Sequence, residues 1–414
     1  MNKQRLIAIL LITILGFACY FNALTSPFIW DDVGLVSNNY LIKDVKYIGK
    51  IFLTDLFNLQ SEGCNFYRPM QALSYMLDYH LWRLNPFGYH LTNIILHILV
   101  AILIYFFISS LVPRPSSLVP LITALLFVAH PIHVEAVTYI AGRADMLVAL
   151  FLLSTLLLFA RGFYLFSLIP FACALLSKEL ALIFPFCLLL FVSGFKFLGA
   201  KDKAPKVFTY VPFFLLSALY IYARFIILPN KTVFSQVKNI YINLLFFFKA
   251  IFLYLKTLIL PLNLHMSYTV KLPSSILEAQ VWLSILAVIA TIFIIIKTYR
   301  RFRLFSFGLS WFFLFLVPHS GIFQINAYFA EHFCYLASIG IFLILAIISV
   351  YLIKKKKIFI LPTLGLIIFY GFLTVQYNFI WQNPEEFYKR ILKFSCGSYI
   401  VYNNLAAIME KKGD

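Results

Sequence analysis

Long apolar runs without charged residues cover most of this chain, and short basic segments separate them. A helix needs about 20 mostly apolar residues to cross a bilayer, so each run predicts a transmembrane helix. The runs lie near 6–24, 91–112, 118–130, 145–160, 163–177, 180–195, 207–228, 276–296, 306–318, 333–353 and 358–377. The pattern predicts an all-α integral membrane protein with a bundle of about 11 transmembrane helices.

The composition agrees with this class. Of the 414 residues, 62% are hydrophobic and 12% are charged, and the mean hydropathy is +0.91. A soluble domain carries about 25% charged residues. The net charge of +18 resides largely in the short loops, where basic residues set topology, so we expect no nucleic-acid partner.

The basic residues also predict the orientation of the chain. Lys3 and Arg5 place the N-terminus in the cytoplasm. Alternate loops then fall on the same side, and they carry the basic clusters at 114, 161, 196–206, 297–303 and 354–357. Met1–Ala18 resembles a secretory signal, but its cleavage site fits only in part, so we interpret it as an uncleaved first span. This predicts a multi-pass protein of a bacterial inner membrane, or of the endoplasmic reticulum membrane in a eukaryote.

One apolar segment does not fit this alternation. Ile240–Leu260 is long enough to cross the membrane but contains Lys249 and Lys256. A crossing here would move the later basic clusters to the outer side, which favours an interfacial or re-entrant segment. The alternative is a true span, with one of the shorter runs merged into its neighbour.

The chain divides into two regions. Residues 1–380 form the predicted transmembrane domain, and its first outer loop, 25–90, is the largest polar region. Phe66–Tyr89 mixes aromatic and charged residues at helical spacing, which predicts a helix lying on the membrane surface. Residues 381–414 predict two short amphipathic helices outside the membrane, and they resemble the opening of a tetratricopeptide repeat.

The acidic residues suggest chemistry on the outer face. With this topology, all of them except Asp202 lie outside or at the outer edge, although acidic residues have little influence on insertion. Asp31 and Asp32 follow the first span directly, where an ionisable pair is a candidate for function. The alternative is a solvated loop start, where aspartate is common.

Single polar residues near the outer edge are further candidates. Arg68 precedes the predicted interfacial helix, where it could bind a phosphate or anchor at lipid head groups. His90 stands just before the second span. Both are polar groups at the membrane surface.

His130, His133 and Glu135 invite a metal interpretation. The spacing differs from that of zinc-binding helices, and Pro131 interrupts the helix that would bring the two histidines to one face. We therefore favour a hydrogen-bonding site for an acceptor or a phosphate, and we expect no required metal or other cofactor.

Three pairs of charged residues recur at outer ends of spans. An Arg/Asp pair and a Lys/Glu pair could be structural ion pairs or parts of a cleft, since a charge at the membrane edge needs a partner. The pairs are Arg143/Asp145, Lys178/Glu179 and Glu331/His332. If the bundle gathers them beside Asp31, the cleft has a carboxylate for proton abstraction and cations for an anionic leaving group.

Several stretches together resemble the GT-C superfamily of membrane glycosyltransferases. The chain is most similar to the transmembrane and tetratricopeptide repeat-containing protein O-mannosyltransferases and their bacterial relatives. The stretches, in the family's order, are Phe28–Asp32, Tyr67–Pro69, Phe87–Asn93 with His97, His130–Val137, Gly142–Leu147, Ser177–Glu179 and Ala330–Gly340. The resemblance implies a GT-C-type bundle and covers the chain from its first loop to about residue 340.

The resemblance also implies roles. Asp31 would be the general base with Asp32 beside it, and Arg143, Lys178 and Glu331 would line the cleft for donor phosphate and acceptor. The implied reaction is inverting transfer of a sugar, by resemblance mannose, from a polyprenyl-phosphate carrier to a hydroxyl, expected to be a protein Ser or Thr. The site would face the periplasm or the lumen.

This sequence departs from the family at two places. His332 stands where the relatives usually have arginine, and no long repeat array follows the first partial repeat. Two other functions remain open. A transporter or flippase for lipid-linked sugars should carry polar residues at mid-membrane and an inverted repeat. A ligase or polymerase acting between lipid carriers would share the fold.

Overall fold

Helices form almost all of the regular structure in the described residues. The computed structural model describes residues 3–57, 66–112, 118–195, 207–227, 240–273, 275–298, 300–320, 327–395 and 399–412. The main helices are α1 Lys3–Tyr20, α2 Pro69–Trp82, α3 Pro86–Leu111, α4 Leu118–Ala129, α5 Arg143–Ala160, α6 Tyr164–Leu175, α7 Phe184–Phe195, α8 Val211–Ile227, α9 Ile240–Ile259, α10 Ala279–Thr298, α11 Arg303–Leu316, α12 Cys334–Lys355, α13 Ile360–Gln382, α14 Pro384–Phe394 and α15 Tyr399–Lys412. No strand occurs among these residues, so the all-α prediction is confirmed.

The apolar runs form helices suited to a bilayer. Within the described ranges, seven helical segments are long and apolar enough to cross a membrane, or up to eight if a bent pair counts as one span. Shorter apolar helices occupy four more of the predicted runs. Apolar side chains on α10 are strongly exposed, with 57% of Ile289 and 60% of Phe293 accessible. Such a surface suits lipid rather than water. The chain is thus a multi-pass membrane protein, while the total of 11 crossings and the GT-C arrangement stay predictions.

The bent pair contains the most polar segment of the bundle. Helix α4 ends at Ala129, and a second apolar stretch, Pro131–Val137, continues at 54° to it. Pro131 explains the break, since a proline cannot donate to the helix ladder. The chain then turns sharply into α5, and Gly142 permits the turn, because a Cβ there would lie 2.6 Å from the carbonyl oxygen of Glu135.

Helices α11 and α12 cross at two glycines. A Cβ on Gly340 would lie 2.2 Å from the carbonyl oxygen of Gly308. The two backbones can therefore come this close only because both residues lack a side chain. Small residues at such crossings let membrane helices pack by van der Waals contact. Trp311 is 1% exposed and donates to the carbonyl of Leu336, which adds a polar link to this pair.

Helix α9 corresponds to the segment whose crossing the sequence left open. It is continuous over 20 residues. Its middle residue Lys249 lies 3.6 Å from Glu278, which precedes α10, and its Tyr254 hydroxyl donates to Ala330. Near its end, the Leu258 carbonyl accepts from His130. All of these partners belong to the predicted outer edge, as an interfacial segment requires, while α9 is also one of the seven segments long and apolar enough to cross a membrane. The interfacial position of α9 stays a prediction.

The first outer loop and the tail have the predicted helical character. Helix α2 lies within the region predicted to be interfacial, and the chain breaks at Arg83–Asn85 before α3 begins at Pro86. Helices α14 and α15 pack against each other in the tail. Phe387 and Ile391 of α14 are buried in the main core, so this helix packs onto the membrane domain. Whether the pair is a partial repeat stays a prediction.

Candidate active site

The segment His130–Asp145, which contains the predicted pair Arg143 and Asp145, contacts four other elements that the sequence places on the outer side. We call it the central turn. Its side-chain and backbone contacts reach the Asp31 loop, α2, the Lys178 loop and the Glu331 turn. The Asp31 N–H donates to the Tyr139 hydroxyl, and the Asp32 carboxylate accepts from the Ala141 N–H. Lys178 donates to Asp145, and the His332 N–H donates to Glu135. Arg143 forms an ion pair with Asp78. The bundle therefore gathers these elements at one end, which we call the Asp31 end.

The two adjacent aspartates have different environments. Asp32 is 0% exposed, and its carboxylate accepts hydrogen bonds from the backbone N–H groups of Ile29 at 3.2 Å and Ala141 at 2.8 Å. Asp31 is partly exposed, and its N–H donates to the Tyr139 hydroxyl at 3.3 Å. Asp32 thus fastens the loop to the central turn, and the Asp31 carboxylate remains available for chemistry.

The backbone before Asp31 is strained. Trp30 has φ of 55°, in the left-handed region that side chains rarely adopt. Its ring stacks on Tyr388 of α14 with centroids 5.9 Å apart. Strained residues of this kind cluster at functional sites, where the surrounding structure holds them. The backbone conformation at Trp30 sets the direction in which the Asp31 side chain projects from the loop.

Burial raises the pKa of both carboxyls, and more so for Asp32. Burial raises the pKa of Asp32 to about 8, although hydrogen bonds from Ile29 and Ala141 oppose the shift. Burial also raises the pKa of Asp31, and the Tyr139 hydroxyl opposes that shift by donating to the carboxylate. Two neighbouring acids whose environments separate their pKa values suit different roles. Burial therefore opposes ionisation more strongly at Asp32 than at Asp31.

Replacing Asp32 with asparagine should weaken the fold. The amide keeps one acceptor oxygen, but its NH₂ group would face one of the two N–H donors that Asp32 now satisfies. A buried donor without a partner costs about 1–3 kcal/mol, so the unfolding temperature in detergent should fall. Asp44→Asn, at an exposed position of the same loop, is the control. Equal unfolding temperatures for the two variants would contradict the anchoring role.

Arg143 is an anchor in this structure. Its guanidinium is 0% exposed and pairs with Asp78 of α2 at 2.6 Å. It also donates to Asn93 at 2.7 Å and to the Tyr89 carbonyl at 3.0 Å. The expected pairing of Arg143 with Asp145 is therefore wrong. Arg143 joins α2, α3 and α5, and its hydrogen-bonding groups are used within the protein.

The remaining cations form a cluster with Asp145 and Glu179. Lys178 pairs with Asp145 at 2.6 Å, so the expected partner Glu179 is wrong. Glu179 instead lies 3.1 Å from Arg68 and 3.8 Å from Arg224 of α8. We call these five residues the cation cluster. Three cations thus lie together with two carboxylates, and a group of cations of this kind is a candidate site for a phosphodiester anion.

The Glu331/His332 pair is also divided between different partners. Nδ1 of His332 lies 3.0 Å from Glu135, and its backbone N–H donates to the same carboxylate at 3.0 Å. Glu331 is 0% exposed and faces another group, the loop that contains His265 and Tyr268. His332 therefore pairs with Glu135, and Glu331 contributes to a separate pocket.

The predicted histidines are buried, and two of them, His90 and His130, are hydrogen-bonded to the backbone. His90 lies 3.0 Å from the Ser26 carbonyl, and His130 caps the following turn by accepting from Ile132. His133 packs against Phe127 at 4.3 Å between ring centroids. Among the described residues, no group of three or more His, Cys, Asp or Glu side chains could hold a metal ion. Metal independence nevertheless stays a prediction.

Some residues of this end were not found from the sequence. Asp78, Tyr139 and Arg224 lie at single positions within or beside apolar stretches, with no motif around them. Asp78 carried a signal, because an acidic residue on a helix of the membrane surface needs a partner. That partner, Arg143, is 65 residues away in the chain.

Fold and site define a class: a multi-pass α-helical membrane protein with interlocked acids and cations at one end of its bundle. Comparison with known proteins gives the relationship. The chain is 34% identical over 148 residues to human protein O-mannosyl-transferase TMTC3, covering 35% of this chain and 16% of that protein. It is 34% identical over 192 residues to mouse protein O-mannosyl-transferase TMTC1, covering 41% of this chain and 20% of that protein. It is also 33% identical over 189 residues to human protein O-mannosyl-transferase TMTC2, covering 42% of this chain and 22% of that protein.

The predicted resemblance is thereby confirmed: this chain is a relative of the TMTC protein O-mannosyl-transferases. It matches about a fifth of the length of these curated relatives. No family model matches the chain. No solved structure matches it either.

Proposed function

We propose that this protein is an inverting glycosyltransferase of the GT-C type. It would move a sugar, by resemblance mannose, from a polyprenyl-phosphate carrier to a hydroxyl of a protein Ser or Thr. The names of the relatives support transfer of mannose to protein. The membrane-embedded helices support a lipid-linked donor, whose chain would stay in the bilayer. The predicted topology places the site on the periplasmic or luminal face.

One observation carries the proposal: the adjacent aspartates are divided into an anchor and an available acid. The Asp32 carboxylate is taken up by two backbone donors. Asp31 is partly exposed beside Tyr139, on a strained turn, at the end of the bundle where the cations gather. A catalytic base needs a carboxylate that a substrate hydroxyl can reach, and Asp31 meets this condition.

The cation cluster would hold the donor phosphate. Lys178 and Arg68 are mostly buried, with side chains 6% and 12% exposed, and Arg224 is 15% exposed. Buried cations attract an anion more strongly than exposed ones, because less water screens them. Charge builds on the phosphate as it leaves, so cations fixed in advance favour the transition state.

The chemical step follows from these roles. The Asp31 carboxylate takes the proton from the acceptor hydroxyl as its oxygen attacks the anomeric carbon of the sugar. The bond from that carbon to the phosphate oxygen breaks, and its electron pair leaves with the polyprenyl phosphate. A single displacement inverts the configuration at the anomeric carbon. The phosphate is a good leaving group, so no acid has to protonate it.

The direct test uses the purified protein in lipid. It is incubated with radiolabelled polyprenyl-phosphate sugars and a Ser/Thr-containing peptide, and the label in the peptide is measured. Transfer of mannose, with inversion shown by the anomeric proton in NMR, is the expected result. Exchange of the intact lipid-linked sugar across vesicles, without label in peptide, would support the flippase instead.

Neutralising the Lys178–Asp145 pair should weaken donor use selectively. Lys178→Ala alone would leave Asp145 buried without its partner, so the cleaner variant is Lys178→Met with Asp145→Asn, which removes both charges. We expect the KM for donor to rise about tenfold, equivalent to about 1.4 kcal/mol, with the KM for peptide unchanged. Lys46→Met, at an exposed lysine, is the control. An unchanged donor KM in the double variant would return the pair to a structural role.

A further inference from the structure

The Glu331 pocket is a second polar site at the Asp31 end. Glu331 is 0% exposed. Its Oε1 accepts from the Tyr268 hydroxyl at 2.6 Å and the His265 backbone N–H at 2.9 Å, with the Tyr377 hydroxyl at 3.5 Å. These contacts use one oxygen of the carboxyl group.

The other oxygen, Oε2 of Glu331, is buried and has no hydrogen-bond partner among the described residues. A buried carboxylate oxygen without a donor is costly, so such groups call for an explanation. The neighbouring acid, Glu135, is already occupied by His332. A ligand that donates a hydrogen bond would therefore satisfy Oε2 where the protein does not.

The surroundings of Oε2 suit a sugar. Tyr268 meets Phe329 edge-on with ring centroids 4.7 Å apart, and Phe329 stacks on Tyr254 at 4.4 Å. Tyr268 is partly exposed, so the pocket reaches the surface at this ring. Aromatic faces pack against the C–H side of a sugar ring, while a carboxylate accepts from its hydroxyls.

The tail holds the loop beside Glu331 in place. The loop 261–273 supplies His265 and Tyr268, and it contains two left-handed residues, Asn263 and Ser267, at φ 60° and 61°. Arg390 of α14 donates to the Leu264 carbonyl at 2.7 Å. Such a conformation persists only where contacts from elsewhere fix it.

Ser395, just after α14, makes the second link between tail and loop. Its hydroxyl accepts from the Thr269 N–H at 2.9 Å and lies 3.1 Å from Nε2 of His265. Ser395 is itself buried. The tail therefore fixes the loop on both sides of His265, and through the loop it fixes the position of Glu331.

We propose that Glu331, with Tyr268 and the surrounding aromatic rings, forms a subsite that recognises one hydroxyl of the transferred sugar through Oε2. The inference rests on the proposed glycosyl transfer. It adds the group that selects the sugar, separately from the base Asp31 and the cation cluster. A site that hydrogen-bonds a substrate hydroxyl strongly rejects the analogue that lacks it.

Glu331→Gln tests this cleanly. Glutamine keeps the shape and keeps an acceptor at Oε1 for Tyr268 and His265, but it places an NH₂ donor where Oε2 would accept from the sugar hydroxyl. Wild-type protein is assayed with the natural donor and each of its monodeoxy analogues. We expect one analogue to lose kcat/KM on the order of 10²-fold. In Glu331→Gln the natural donor should fall to the level of that analogue, so discrimination at this hydroxyl disappears.

Two variants serve as controls. Glu386→Gln makes the same change at an acid that is 62% exposed on α14, and it should leave discrimination intact. Ser395→Ala removes the hydroxyl that supports the loop at Thr269 and His265 without touching Oε2, so it should lower stability but keep the selectivity. Loss of selectivity in Ser395→Ala equal to that in Glu331→Gln would show a structural role and overturn the inference.

The wild-type measurements alone can also decide it. If the wild type uses every monodeoxy donor equally well, the inference is wrong even if Glu331→Gln fails to fold. If the wild type moves no sugar, the proposed function fails, and thermal stabilisation by each donor then tests the subsite. Equal stabilisation by natural and monodeoxy donors would overturn it, and selective stabilisation lost in Glu331→Gln would support it.

Discussion

Replacing Asp31 with asparagine should lower kcat about 10²- to 10⁴-fold, which is the usual contribution of a general base. The amide has the same shape but takes no proton from the acceptor hydroxyl. The Asp31 N–H would still donate to Tyr139, and Asp32 would still hold the loop. The unfolding temperature should therefore match the wild type. The measurement is transfer to peptide at saturating donor, beside the thermal unfolding curve of the same sample.

Asp44→Asn is the matched control, since it makes the same change at an exposed aspartate of the same loop. It should retain full activity. Full activity in Asp31→Asn would remove the proposed base.

The pH profile of the wild type gives a second readout of Asp31. Burial raises the pKa of this carboxyl, and the base works only when deprotonated. Activity should therefore fall on acidification at a higher pH than an ordinary aspartate would give. In Asp31→Asn the residual activity should lose that acidic limb.

Replacing Arg143 with methionine should be among the most destabilising single changes in the chain. It leaves the Asp78 carboxylate, 1% exposed, without its partner, and it removes the donors to Asn93 and Tyr89. Breaking a buried ion pair in this way costs about 3–5 kcal/mol. We expect little folded protein after extraction, measured by size-exclusion chromatography and thermal unfolding.

A double variant separates charge from packing at this site. Asp78→Asn together with Arg143→Met removes both charges, so it should recover a large part of the lost stability. A single Arg143→Met variant as stable as the wild type would contradict the anchoring role. An Arg143→Met variant that folds but loses donor binding would restore Arg143 to the cleft.

The helices could be predicted from the sequence because apolar run length is a local property. Runs such as 333–353 correspond closely to helix α12, Cys334–Lys355. The break before Pro86 followed from proline chemistry in the same way. The interpretation of Ile240–Leu260 depended on the order of membrane crossings along the whole chain. The contacts of Lys249 and Leu258 with outer-edge residues agree with a position at the membrane surface.

The ion-pair partners could not be predicted from proximity in the sequence. Arg143 and Asp145 are two residues apart and Lys178 and Glu179 are adjacent, and side chains at these spacings do not face one another in a helix. The true partner of Lys178 comes from a different element and depends on how the helices assemble. The candidate residues were thus well placed as a group, while their individual contacts required the tertiary structure.

The sequence divides the chain near residue 380, but the folded protein joins what that boundary separates. Tyr388 stacks on Trp30, beside the acid, and Arg390 secures the loop over Glu331. Helix α14 therefore contacts both Trp30, which precedes Asp31, and the loop that binds Glu331. A protein that binds this helix would therefore act on both places at once.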